Sequence, residues 1–283
     1  MKENSTNKLL EFIQNAFAED IGSGDHTTAA CITSDEKGSA QLKIKEDGVL
    51  AGSDVAQLIF NHYDKDLQIE TFIEDGAKIK EGQIAFSVFG SVNSILTTER
   101  LVLNLMQRMS GIATTTSRYA ERIAHTKAKV LDTRKTTPGL RWFEKEAVRI
   151  GGGQNHRFGL YDMILIKDNH VDASGGITNA LKRAQNYVQT KKLDIEIEIE
   201  VRSMKELEEA LSTGIADRIM LDNFSVLGTE EAVRFVEGRS KLESSGGITL
   251  DTIQGYAEAG VDFISVGALT HSVKSLDLSL KIS

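Results

Sequence analysis

Residues 131–170 read LDTRKTTPGLRWFEKEAVRIGGGQNHRFGLYDMILIKDNH, and two short apolar runs at the ends of this stretch decide the fold. Lys129-Val-Leu-Asp-Thr133 reads as a strand and leads directly into Arg134 and Lys135. Met163-Ile-Leu-Ile166 reads as a second strand and leads into Lys167 and Asp168. Between them lie a helical stretch, 138–150, and a loop opened by Gly151-Gly-Gly153 that carries Gln154, Asn155, His156 and Arg157. Thr137 could cap that helix, with Pro138 in its first turn and Gly151 past its end. Strand, helix, strand is the repeating unit of a parallel α/β sheet.

The same unit recurs outward from this stretch. Further strands are predicted at 194–201, 217–221, 240–244 and 262–267, with helices between them. Each leads into polar residues: Glu200; Asp222 and Asn223; Ser244, Ser245, Gly246 and Gly247; then Gly267 and, four residues on, His271. In an α/β barrel the C-terminal strand ends form the active face. Six strands fall short of eight, so the expectation is an incomplete, open α/β barrel. Ile195-Glu-Ile-Glu-Ile-Glu-Val201 is odd for a central parallel strand, which should be apolar on both faces. Alternation places Glu196, Glu198 and Glu200 together, either on a solvated edge or pointing into the barrel.

Upstream, the pattern is that of a smaller, sandwich-like α+β domain. A helix is expected over 6–19, a turn at Ile21–Thr28, short strands near 41–45 and 85–89, and a helix at Val55–His62. Thr97-Thr-Glu-Arg100 reads as the capped start of a long helix that Ser110-Gly111 interrupts. The expected division is 1–111 for this domain and 112–269 for the barrel, with 270–283 returning to the first domain.

The chain has 283 residues, a formal net charge of −8, 40% hydrophobic residues and a single cysteine. It can bury a core, and Cys31, read as a small core residue, allows no internal disulfide, which suits a reducing compartment. No apolar run approaches the roughly 20 residues that cross a bilayer, and the N-terminus shows no apolar leader, so a cytoplasmic location is expected. Yet 134–170 holds seven Lys or Arg against four Asp or Glu. A cationic block in an acidic chain suits a small anion and argues against nucleic acid, which needs a basic face over a whole domain.

The strand ends suggest the chemistry. Ser244-Ser-Gly-Gly247 before a helix at about 249–259, and Val266-Gly-Ala-Leu269 after the last strand, have the form of barrel phosphate loops. Glu200 and Asp222 make a carboxylate pair suited to ribose hydroxyls and to Mg²⁺.

TRKTTPGLR, EKEAVRIGGGQNHR and LIKDNH, in that order and spacing, resemble the quinolinate phosphoribosyltransferase family. The resemblance extends to ERLVLNLMQRMSGIAT before them and to LDNF, LESSGGI and GVDFISVGALTHS after them, over nearly the whole chain. It implies quinolinate and phosphoribosyl pyrophosphate as substrates, Mg²⁺ as cofactor and nicotinate mononucleotide, pyrophosphate and carbon dioxide as products. Arg134, His156, Arg157 and Lys167 would then hold quinolinate, with Thr133 nearby. Arg100 would come from the neighbouring subunit of a homodimer, which could assemble further to a hexamer. Lys135, Glu200, Asp222, Ser245, Gly246, Gly247, Gly267, Ala268, Leu269 and His271 would serve the ribose, pyrophosphate and Mg²⁺, with Lys135, Glu200 and Asp222 catalytic. Other readings stand beside this one: a nicotinate-using or molybdenum-transport-associated relative, a Schiff-base lyase with Lys167 as nucleophile, and a metabolite sensor that kept the pocket.

Overall fold

The structure, a computed structural model, describes residues 2–282, with residues 2–6 described by their backbone alone. Met1 and Ser283, the outer bounds of the expected first domain, lie outside them. The chain divides into two compact units: 1–115 with 138–151 and 273–283, and 116–137 with 152–272.

In the first unit, α1 (Lys2–Ile21) buries Ile13 and Phe17. The short α2 (His26–Cys31) is capped by Asp25, whose carboxylate accepts from Thr28 N at 2.9 Å and Thr28 Oγ1 at 2.6 Å. The glycine pair before it is therefore a turn. Cys31 is exposed and not in the core, because only Thr28 of this helix is buried. Then follow β1 (Lys37–Ile44), β2 (Gly48–Val49), α3 (Ser53–Tyr63), β3 (Gln68–Thr71), β4 (Lys78–Ile79) and β5 (Ile84–Ser91). On β1 the alternate residues Ala40, Leu42 and Ile44 are fully buried, as the period of two requires.

Two helices of this unit depart from expectation. α4 (Val92–Arg122) is one helix of 31 residues. It begins five residues before Thr97, so neither Thr97 nor Thr98 caps it; Thr98 is buried and donates back to Ser94 O at 2.7 Å. Ser110-Gly111 does not interrupt it. Ser110 Oγ accepts from Ala51 N at 3.0 Å, and a Cβ at position 111 would run into the Lys274 carbonyl. Close packing demands small residues here, and the helix tolerates them. α5 (Arg141–Ile150) starts three residues later than Pro138, without a Thr137 cap. It groups with the first unit.

The second unit holds β6 (Lys129–Leu131), β7 (Ile164–Ile166), α6 (Asp168–Ser174), α7 (Ile177–Lys191), β8 (Ile197–Val201), α8 (Met204–Thr213), β9 (Arg218–Asp222), α9 (Val226–Val236), β10 (Lys241–Ser245), α10 (Ile253–Glu258), β11 (Phe263–Ser265) and α11 (Ala268–His271). The final strand, β12 (Leu278–Ile282), belongs to the first unit and pairs antiparallel with β1, giving a four-stranded sheet in the order β12-β1-β5-β3.

All six strands of the second unit are parallel, in the order β6-β11-β10-β9-β8-β7. β6 and β7, successive in sequence, stand at opposite edges. This is an open α/β barrel. Gln154 begins to fill the gap beside β6, donating to Val130 O at 2.8 Å and accepting from Asp132 N at 3.2 Å. β8 lies between β7 and β9 with all five residues buried, so its glutamates at 198 and 200 belong to the interior and not to a solvated edge. Among the described residues no helix is long and apolar enough to cross a membrane.

Candidate active site

Parallel strands deliver their C-terminal ends to one side of the sheet, and the polar residues marked in the sequence stand there. Lys167, directly after β7, reaches Glu200 near the end of β8, with Nζ 2.8 Å from Oε2. Asp222 ends β9 and accepts from Asn223 Nδ2 at 2.8 Å. Asn223 N donates to Ser245 O at 2.9 Å, which ties the end of β9 to the end of β10, where a glycine loop begins.

That loop is shaped by its glycines. Gly246 has φ +102° and Gly247 φ +61°, both in the region that favours glycine. A Cβ on Gly246 would overlap the Asn223 side chain. Gly246→Ala is therefore strained by about 1–3 kcal/mol through its backbone alone. It should weaken binding of inorganic pyrophosphate at least roughly tenfold. Titration calorimetry with pyrophosphate checks this, and unchanged affinity would show that the loop does not serve a phosphate.

Gly267 brings three further residues together. A Cβ at Gly267 would stand 3.1 Å from His271 Cδ2 and 3.2 Å from Lys135 Cδ. Thr270 Oγ1 donates to Lys135 O at 2.8 Å, which fastens the segment after β6 to α11. Lys135 and His271 are exposed, whereas the Leu269 side chain is fully buried, so only the backbone of Leu269 can meet a ligand. Thr133 Oγ1 accepts from Lys135 N at 3.0 Å and so shapes the turn that aims Lys135.

Arg134 and Arg157 form the cationic centre. Both are half-buried. Burial, and then the neighbouring Arg134 charge, hold the Arg157 pKa below the usual guanidinium range. Arg134 Nε is buried with no hydrogen-bond partner among the described residues. Two close, partly desolvated cations repel each other, and such an arrangement persists where an anion compensates it.

Beneath them the barrel interior is charged. His156 is buried, with Nε2 3.0 Å from Glu198 Oε2 and 3.6 Å from Glu243 Oε2. Arg218 Nη1 lies 2.9 Å from Glu243 Oε2, and its guanidinium stacks 4.1 Å from the Phe263 ring centre. Burial first pushes both Glu198 and Glu243 up to about 7. Two adjacent buried carboxyls do not both ionise readily. His156, Glu198 and Glu243 have donor types that suit a metal ion, with ligand atoms within 4.8 Å of one another. Arg218 already supplies the positive charge there. Sequence reasoning missed Asp132, Arg218 and Glu243. The signal for Arg218 and Glu243 was available: a charge within a short parallel strand, the oddity that singled out 195–201.

Arg100 belongs to the first unit, on α4. It lines a cavity of about 510 Å³ together with Phe12, Asn15, Glu19, Asn104 and Arg108.

An open α/β barrel with glycine loops, a carboxylate pair and clustered cations at its strand ends defines an enzyme site for anionic, phosphate-bearing substrates. Comparison with known proteins makes this particular. Residues 25–110 match the N-terminal domain of quinolinate phosphoribosyl transferase and residues 112–281 its C-terminal domain. The chain is 45% identical over 292 residues to the chloroplastic nicotinate-nucleotide pyrophosphorylase [carboxylating] of Arabidopsis thaliana, spanning 98% of this chain and 83% of that one. It is 41% identical over 276 residues to the probable nicotinate-nucleotide pyrophosphorylase [carboxylating] of Bacillus subtilis, spanning 98% and 94%. The crystal structure of NadC from Streptococcus pyogenes superposes with a TM-score of 0.91 at 41% identity, covering 96% of each chain. The chain belongs to the quinolinate phosphoribosyl transferase family.

Proposed function

We propose that the protein transfers phosphoribosyl from phosphoribosyl pyrophosphate to the ring nitrogen of quinolinate with loss of a carboxylate. The products are nicotinate mononucleotide, pyrophosphate and carbon dioxide, a step of de novo NAD biosynthesis. The observation that carries this reading is the Arg134–Arg157 pair. Quinolinate bears two adjacent carboxylates and can compensate both guanidiniums, whereas a mono-acid such as nicotinate leaves one uncompensated. The Lys167–Glu200 ion pair counts against a Schiff-base lyase, because Nζ is already engaged by a carboxylate at 2.8 Å.

The roles follow from charge. Lys135, beside Gly267 and His271, neutralises the departing pyrophosphate. Ser245, Gly246, Gly247, Gly267, Ala268 and the Leu269 backbone offer amides and small residues to the phosphate groups. Glu200 and Asp222 favour a ribose that becomes positive at its reacting carbon. These two hard oxygen donors end adjacent strands and fit Mg²⁺, which when bound with the substrate's phosphates stabilises charge on the leaving group. Arg134, Arg157 and Lys167 hold the diacid with its nitrogen toward the ribose. Once alkylated, that nitrogen is the electron sink for decarboxylation. A homodimer in which Arg100 completes the partner's site would supply a further quinolinate cation. A cytoplasmic setting suits the single free, exposed cysteine.

The test is turnover with quinolinate, phosphoribosyl pyrophosphate and Mg²⁺, with carbon dioxide release followed. Release should require the ribosyl donor strictly, because the neutral ring nitrogen is a poor sink. Carbon dioxide released from quinolinate with pyrophosphate and Mg²⁺ alone would mean that the protein itself activates the ring.

A further inference from the structure

His156 sits at the mouth of the barrel by sequence, yet its ring is turned away from the mouth. Its side chain is 5% exposed. The backbone N–H of Arg157 donates to Nδ1 at 2.7 Å, which leaves the ring proton on Nε2. Nε2 faces Glu198 Oε2 at 3.0 Å and Glu243 Oε2 at 3.6 Å. Its own backbone N–H donates to Asp132 Oδ1 at 2.9 Å, which fixes the residue to the end of β6. Behind Glu243 stands Arg218, with Nη1 at 2.9 Å, and Arg218 Nη2 lies 3.6 Å from Glu196 Oε2.

Resting on the quinolinate reading of the site, we propose that Glu198, Glu243 and Arg218 are positioning residues that keep both nitrogens of His156 turned inward. His156 then serves diacid binding only by fixing the backbone, and hence the guanidinium, of Arg157. The charges favour this arrangement. The Nε2 edge of His156 and the Arg218 guanidinium are the cationic or donor groups that face the two buried carboxyl groups. Turning Nε2 out toward a substrate would leave the buried Glu198 carboxyl group without the imidazole edge that faces it at 3.0 Å. The strand register makes the set possible: Glu198 pairs with Arg218 across β8 and β9, and β10 lies next to β9 with Glu243 at its centre.

The experiment uses the full chain with ¹⁵N-labelled histidine. His156 ring signals are identified by their loss in His156→Asn. A bare Nδ1 and a protonated Nε2 are expected in the free protein, with both signals unmoved when quinolinate saturates the site. Glu243→Gln should shift them. In calorimetry, Glu243→Gln should weaken quinolinate binding roughly fivefold with Arg157 present, and less than about twofold in an Arg157→Ala background. Glu198→Gln, which keeps a polar oxygen where the carboxyl group faces Nε2, should recover most of the affinity that Glu198→Leu loses. A proton on Nδ1, a ring signal that moves on adding quinolinate, or losses that simply multiply would overturn the proposal. If the wild-type protein binds no quinolinate, the functional reading fails, and the tautomer in the free protein still decides the network.

Discussion

Replacing Arg157 with alanine should weaken quinolinate binding roughly 30- to 150-fold, about 2–3 kcal/mol, without lowering the melting temperature. The two effects separate because Arg157 serves the ligand at some cost to the fold. Its guanidinium is half-buried beside Arg134, and its pKa is depressed first by that burial and then by the neighbouring charge. Within the protein its hydrogen bond is to Met163 O, at 3.3 Å. Deleting it removes a repulsion from the empty site and a carboxylate partner from the filled one. Arg157→Lys should recover little of the affinity, because an ammonium cannot match a carboxylate in the bidentate way. Arg134→Ala with Arg157→Ala together should abolish measurable binding. Calorimetry with quinolinate and a thermal melt on the same samples decide the matter. An Arg157→Ala protein that binds within about threefold of wild type would remove the residue from the site.

Mixed dimers give the second large effect. Arg100→Ala and Lys167→Ala should each be nearly inactive alone. Lys167 stands at the end of β7 beside Glu200, whereas Arg100 is on α4 of the other compact unit. If Arg100 completes the site of a partner subunit, a mixed dimer places both lesions in one site and neither in the other. After random exchange from an equal mixture, about half the dimers are mixed and roughly a quarter of wild-type activity should return. A mixture that stays inactive after verified subunit exchange would place Arg100 in its own chain's site or outside any site.

The open barrel was legible because its strands are short apolar runs that each end in a polar residue. Each run is too short for a helix, and each connection between them is long enough to cross back over a parallel sheet. Lys167, Glu200, Asp222 and Ser245 were placed at strand ends by that pattern, and they stand at strand ends. Local signals misled where packing overrode them. Thr97 and Thr98 look like caps but lie inside α4, and Ser110-Gly111 looks like a break but is a close approach to the chain around Ala51 and Lys274.

The tertiary structure alone decided which charges answer one another. A glutamate or arginine inside a parallel strand announces in sequence that something must compensate it, because burial without a partner is too costly. Which partner does so depends on strand order and register, and those follow from how the sheet curls and where it stays open. His156, Glu198, Arg218 and Glu243 are far apart along the chain, and the order β10-β9-β8, with the loop after β6 folded beside them, makes them one group. By itself the sequence determined that this chain forms an open barrel with an anion site on its C-terminal face. The direction in which His156 points was left to the packing of the barrel interior, since a side chain's orientation is set by neighbours that residue spacing does not reveal.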